Sequence, residues 1–350
     1  MSHPRRARAA RELRKLHPEL DLRIVTDPRP DEPPSTLRTA QPAWQAVCPD
    51  ATHHLVLQDD AVLCQDFADR VRELVLAHPD RALCLFTEWG SLSADAVRLA
   101  ALGGSALAPV VDEYLPCVAL VLPAEHARGF AEFAATKATD EDPDDVVLLA
   151  YAQSAGLDAL VPVAGPTEHS NPVSLAGNDG LGPRSAVCFA DDLPVPAHAT
   201  GPVMELPEAI PHFCWREQRA VVLVRDGDHP AGWREPPARQ LLEEEWGVPQ
   251  NIVSASLRRA LRDDPRRDLL HDRISSVLLG ELWTTAWAMG HVVTGAGRSL
   301  RAADSTVARA ALATLAAGGL RRVLPAQWLR PLGEALGSLL LRAVREGGDR

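Results

Sequence analysis

Apolar residues along this chain follow two rhythms. Short runs at Leu22-Arg23-Ile24-Val25, Leu55-Val56-Leu57, Ala82-Leu83-Cys84-Leu85-Phe86, Cys117 to Leu122 and Ala159 to Val163 read as strands, and the continuous runs at 55–57 and 82–86 have the pattern of strands buried on both faces of a sheet. Between them lie stretches of helical spacing: Arg5 to Leu16, with Ala7, Ala10, Leu13 and Leu16 near one face, Thr36 to Val47, and Asp66 to Ala77 with Phe67, Val71, Leu74 and Val75. Ala124 to Ala135 and Val146 to Ala155 continue the series, the latter preceded by the acidic run Asp140 to Asp145, which suits a helix start. Strands alternating with helices predict the α/β class, with a doubly wound, mostly parallel sheet.

The rhythm breaks at Gly103-Gly104 and again after Glu168-His169, where Asn171 to Arg184 is rich in Gly, Asn, Ser and Pro and reads as a loop. Prolines then recur from 192 to 211, the mark of a linker or of an extended wrap over the surface. Beyond it Arg219 to Arg225 reads as one more strand. Leu269 to Met289, Val307 to Leu315 and Leu336 to Val344 are helical. The expected organisation is therefore an α/β domain at 1–191, a proline-rich linker at 192–211 and a mainly helical region at 212–350. No internal repeat is visible.

Composition narrows the function classes. The 350 residues are 46% hydrophobic and 24% charged, ordinary for a soluble globular protein. A net charge of -11 gives no general affinity for nucleic acid or anionic membranes, so an anionic substrate would need local arginine or a metal. The six cysteines form no CxxC pair, which argues against structural zinc and a disulfide scaffold and for reduced thiols in a cytoplasmic protein. Met1 to Arg14 lacks the apolar core of a signal peptide. Val277 to Gly297, interrupted by Glu281 and His291, is a poor membrane span.

The chemistry gathers at Thr52-His53-His54-Leu55-Val56-Leu57-Gln58-Asp59-Asp60, where two carboxylates stand at the expected end of a buried strand. An unpaired buried carboxylate is costly, so such a pair calls for a compensating partner, of which a divalent cation is the usual one. The edge at the carboxyl ends of strands is also where open α/β sheets bind ligands. A helix cap or a solvated turn would account for the same two residues.

Four features in order, His54 to Asp60 followed by Phe67, the Tyr114 to Pro123 strand, the Pro143-Asp144-Asp145 helix start, and Pro166-Thr167-Glu168-His169 leading to Ser174, resemble a GT-A-type glycosyltransferase. The likeness is to glycosyltransferase family 25, the lipopolysaccharide and collagen galactosyltransferase group. It covers a little over half of the chain.

The resemblance implies a nucleotide-diphosphate sugar donor whose phosphates are bridged to the protein by Mn²⁺ or Mg²⁺. Asp60 would be a metal ligand and His169 would complete the metal site, while Gln58, Asp59 and Arg184 would contact the donor. Gln58 stands where the family usually has an acid, although its amide can hydrogen-bond a ribose or sugar hydroxyl. Arg184 is suited to clamp a diphosphate bidentately, a solvated loop arginine being the alternative. Asp144 or Asp145 is the expected general base or acceptor-positioning carboxylate, the alternative being a helix cap. Trp89 is suited to stack on a sugar or to pack in the core.

A first strand is also expected, of which His3 to Arg6 would be the end and whose front would lie upstream of Met1. The tryptophans after 212 suit acceptor binding, packing against the first domain, or self-association through the C-terminal helices. The rival function is a catalytically silent sugar- or nucleotide-binding or structural protein with the same fold. A metal-dependent phosphohydrolase on Asp59 and Asp60 lacks a second cluster of suitable spacing.

Overall fold

Alternating side chains decide how the sheet sits. The computed structural model describes residues 1–175, 177–194, 197–227 and 232–350. In chain order the first part comprises helix α1 (Ala7–Leu16), α2 (Thr36–Gln45), strand β1 (His53–Leu57), β2 (Ala61–Leu63), α3 (Phe67–Ala77), β3 (Ala82–Cys84), α4 (Leu92–Gly103) and β4 (Leu107–Pro109). β5 (Ala119–Pro123), α5 (Ala124–Lys137), α6 (Asp144–Ala155), β6 (Ala159–Pro162) and β7 (Thr167–His169) follow. On β5, Leu120 and Leu122 join one buried cluster with α2, α4 and α5, whereas Ala119 and Val121 join another with Phe67 and Leu74 of α3. Period-2 alternation thus buries both faces of the sheet, as the continuous apolar runs predict.

The strand order is β1-β5-β3-β6-β4. The α/β class holds, but the expected mostly parallel pairing does not: only β3 and β6 pair in parallel, while β1–β5, β5–β3 and β6–β4 are antiparallel. The reason is the insertion of β5 between β1 and β3, against the direction of both. β1, β3 and β6 still point the same way. Their carboxyl ends open on one edge, which delivers Gln58-Asp59-Asp60, Glu88 and the segment leading to His169 to a common region.

The strand expected at Leu22 to Val25 is not formed; a single parallel bridge joins Thr26 to Ser2, with Ser2 N–H donating to Val25 O at 2.9 Å. The amine of Met1 donates to Leu57 O on β1. His3 to Arg6, expected as a strand end, instead lead into a 3-10 turn at Pro4–Arg6 capped by His3 Nδ1.

The second part opens with β8 (Ala209–Cys214), β9 (Arg219–Arg225) and β10 (Trp233–Arg234), a small antiparallel sheet. The helices α7 (Ala238–Glu244), α8 (Gln250–Asp263), α9 (Arg267–Arg273), α10 (Ser276–Gly295), α11 (Thr306–Leu320) and α12 (Ala326–Gly348) complete the chain. The helix expected over Leu269 to Met289 is divided by Ile274 in extended conformation, and Ser275 caps the next helix by accepting from Leu278 N–H. One continuous buried cluster extends from Leu37 to Val344, so residues 212–350 pack onto the first part through α4. Among the described residues, no helix is long and apolar enough to cross a membrane.

Candidate functional site: a cleft at the strand ends

The edge formed by β1, β3 and β6 floors a cleft of about 640 Å³, whose walls include Gln58, Asp59, Asp60, Asp144, Asp145, His169 and Arg184. These seven candidate donor, metal and acceptor residues therefore line one space. The β2–β7 ribbon is responsible for the closest approach. Its register sets Ala61 opposite His169, Ser170 N–H donates to Asp60 O at 2.9 Å, and His169 Nε2 comes to 3.2 Å from Asp60 Oδ2.

Both aspartates are largely buried, with side-chain exposures of 7% and 9%. Burial would raise the Asp60 pKa, but the His169 hydrogen bond together with the charges of His169, Arg6 and Arg184 outweighs it and holds the carboxyl below its ordinary value. Arg6 Nη1 lies 3.3 Å from Asp59 Oδ1 and 3.0 Å from Asp60 Oδ2, and Ser2 Oγ donates to Asp59 Oδ2 at 2.6 Å. Asp59 is thus fully engaged. Asp60 Oδ1 is buried and has no hydrogen-bond partner among the described residues.

Asn171 organises the imidazole. It takes a left-handed φ of 51°, which asparagine tolerates better than most residues, and its backbone N–H reaches His169 Nδ1 at 3.2 Å while its Oδ1 lies 3.1 Å from the same atom. Two states of the ring are therefore supported. With Nδ1 accepting from the Asn171 amide, Nε2 carries the proton toward Asp60; with Nδ1–H donating to Asn171 Oδ1, Nε2 is free to ligate.

An unpaired buried carboxylate oxygen beside such an imidazole fits a hard divalent cation that takes its remaining ligands from substrate oxygens and water. Among the described residues the group of three metal-capable side chains with closely grouped ligand atoms is elsewhere, at Cys64, Asp66 and Asp191. There Arg70 already pairs with Asp66 at 2.6 Å, and burial, with help from Asp66, pushes the Cys64 thiol up to about 12. A thiol kept protonated is a poor ligand.

Asp144 and Asp145 begin α6. Asp144 is 4% exposed, its backbone N–H donates to Thr36 Oγ1 at 3.2 Å, and Cys117 Sγ lies 3.6 Å from its Oδ2. Burial, then the charge of Asp145, pushes the Asp144 carboxyl up to about 6, and burial raises Asp145 as well. Gln58 Nε2 reaches Cys117 Sγ at 3.4 Å, which ties the start of the acidic triplet to this wall. The Arg184 guanidinium makes no ion pair or hydrogen bond among the described residues, although its charge acts on both Asp60 and Asp145.

Several cleft residues were not foreseen: Arg6 and Ser2 come from the chain start, and His212 and Arg321 from the second part. Trp215, one of the tryptophans that suit acceptor binding, also lines the cleft. Arg321 pairs with Glu88, its guanidinium lies 4.4 Å over the Trp215 ring, and burial with the neighbouring Arg322 charge pushes it down to about 10. Trp89, one candidate for sugar stacking, is a core residue: it is 2% exposed and its Nε1–H donates to Pro183 O at 2.9 Å. Glu168 is a clamp, accepting from His169 and Ala186 N–H at 2.7 and 2.8 Å and from Arg330 at 2.9 Å.

No protein-family model matches this sequence. No curated protein matches it either.

Proposed function

We propose that the protein is a GT-A-like glycosyltransferase, similar to glycosyltransferase family 25, that moves a sugar from a nucleotide-diphosphate donor to an acceptor hydroxyl. The observation that carries the reading is the convergence of Asp60, just beyond the carboxyl end of β1, and His169, at the end of β7, to 3.2 Å beside an Asp60 Oδ1 that is buried and unpaired among the described residues. Asp60 and His169 would hold Mn²⁺ or Mg²⁺. The cation, when bound, supplies Lewis-acid neutralisation of the charge that develops on the departing diphosphate.

The chain's own groups do the rest. Arg184, unpaired in the cleft, binds phosphate oxygens, the Gln58 amide binds a ribose or sugar hydroxyl, and Asp59 fixes Arg6 and Ser2 at the donor side. Asp144 and Asp145, on the wall formed by α6, position acceptor hydroxyls.

The second reading, a silent sugar- or nucleotide-binding protein, is favoured by Arg6, which already spans the two carboxylates a cation would occupy. Thermal-shift titrations with UDP-, GDP- and dTDP-sugars, with and without Mn²⁺, separate the two. A ligand at a hundred times its Kd stabilises the fold by about 2.7 kcal/mol. The enzyme reading expects a shift that requires Mn²⁺ and is lost in Asp60→Asn and His169→Ala. A shift of equal size without Mn²⁺ supports the silent reading, and no shift with any sugar nucleotide removes both.

A further inference from the structure

A second polar assembly in the cleft is not used by the donor site. His212 on β8 lines the cleft, and its Nδ1 lies 2.7 Å from Asp95 Oδ2 on α4. Asp95 is 1% exposed, and its other oxygen is held by Arg98 Nη1 at 2.6 Å. Arg98 in turn donates to the carbonyl oxygens of Trp89 and Ala311 at 2.7 and 3.0 Å and reaches Thr314 Oγ1 at 3.0 Å.

The Asp95 charge is therefore already met by Arg98, and α4 is already tied to α11 without His212. What remains for the imidazole is orientation. A carboxylate only accepts, so the proton of the neutral ring lies on Nδ1, toward Asp95, and the lone pair lies on Nε2. His212 Nε2 has no hydrogen-bond partner among the described residues. A carboxylate that fixes the tautomer of a cleft imidazole and steadies the imidazolium formed on protonation is the arrangement of a general base.

We propose that His212, oriented by Asp95, is the proton acceptor for the hydroxyl that attacks in this cleft. The proposal rests on the nucleotide-sugar reading above. The acceptor oxygen bonds to the anomeric carbon as the bond from that carbon to the β-phosphate oxygen breaks. The hydroxyl proton passes to His212 Nε2, and the bonding electron pair leaves with the nucleoside diphosphate. One displacement inverts the anomeric centre. Asp95 is a positioning residue; His212 is the catalytic one.

Water replaces the unidentified acceptor in the test. The full chain, with Mn²⁺ and UDP-glucose, UDP-galactose or GDP-mannose, is assayed for release of nucleoside diphosphate. His212→Ala is expected to lower kcat by at least about 100-fold with KM unchanged, and added imidazole to restore part of the rate. His212→Gln, which keeps an N–H for Asp95 and carries the test if the alanine variant does not fold, is expected to be equally slow. Release by His212→Gln at the wild-type rate, or loss in His212→Ala with no recovery in imidazole, overturns the dyad while leaving the donor site standing. Wild-type protein that binds a sugar nucleotide but never cleaves it also overturns the dyad. Wild-type protein that neither binds nor cleaves any of the three overturns the donor reading, and the dyad with it.

Discussion

Asp144 is an acid at the right end of a helix, which favours its charged form, and in the wrong solvent, which does not. Burial prevails and sets its pKa at about 6, above the ordinary 3.8. The unfolded chain thus gives up this proton at lower pH than the folded one, so the contribution of Asp144 is fully present below about pH 4 and is lost as pH rises through 6. Asp144→Asn removes the ionisation. The variant is expected to be more stable than wild type at pH 8, with the gap closing toward pH 4, as urea midpoints at the two pH values will read. Asp60 has the opposite sign, since its partners hold its pKa down and its contribution is lost as pH falls. At this scale the acids drew attention because adjacent carboxylates after an apolar run are visible locally, whereas His169, which lines the same cleft, was reached only through the resemblance. Arg6 was read only as backbone: its bonds to Asp59 and Asp60 span 53 and 54 residues, and no local pattern carries them. His212 was hidden in the same way, 117 residues from Asp95.

The elements that periodicity missed are those it cannot see. α4 is buried at every residue from Ser93 to Leu102, so it has no polar face to set a period, and Gly103-Gly104 looked like a break because Gly104, at a φ of 79°, is its left-handed cap. β8 was concealed by Pro211, although that proline sits opposite Val222 in a regular ladder. The bulk of α10 was legible as apolar, but its fit to α12 was not. Gly290 lies against the Val344 carbonyl and Gly347 against the Trp287 carbonyl, so the two backbones approach where a Cβ has no room. Gly290→Ala is therefore expected to destabilise by about 1–3 kcal/mol, the usual cost of overpacking. Gly295→Ala, near the end of the same helix with open space around it, is expected to be neutral or slightly stabilising. Thermal denaturation of the two variants side by side gives the contrast.

Over the whole molecule, the proline-rich stretch looked like a boundary because linkers and extended edges share a composition. Part of it is an edge: Val203 bridges Leu107 in parallel and Met204 N–H donates to Leu107 O at 2.9 Å, laying the chain along β4. Since a continuous core runs from Leu37 to Val344, heat is expected to produce one cooperative transition, with far-ultraviolet circular dichroism and tryptophan fluorescence coincident. A separately expressed fragment ending at residue 205 would expose the α4 face and is expected to remain unfolded. Arg6 adds a property of the unloaded protein as a whole. Two neighbouring buried acids would ordinarily repel one another and strain the strand end that bears them, yet the guanidinium from the opening turn supplies a resident counterion. That strand end is therefore held without a metal, and a chelator is expected to leave the melting temperature of the protein unchanged.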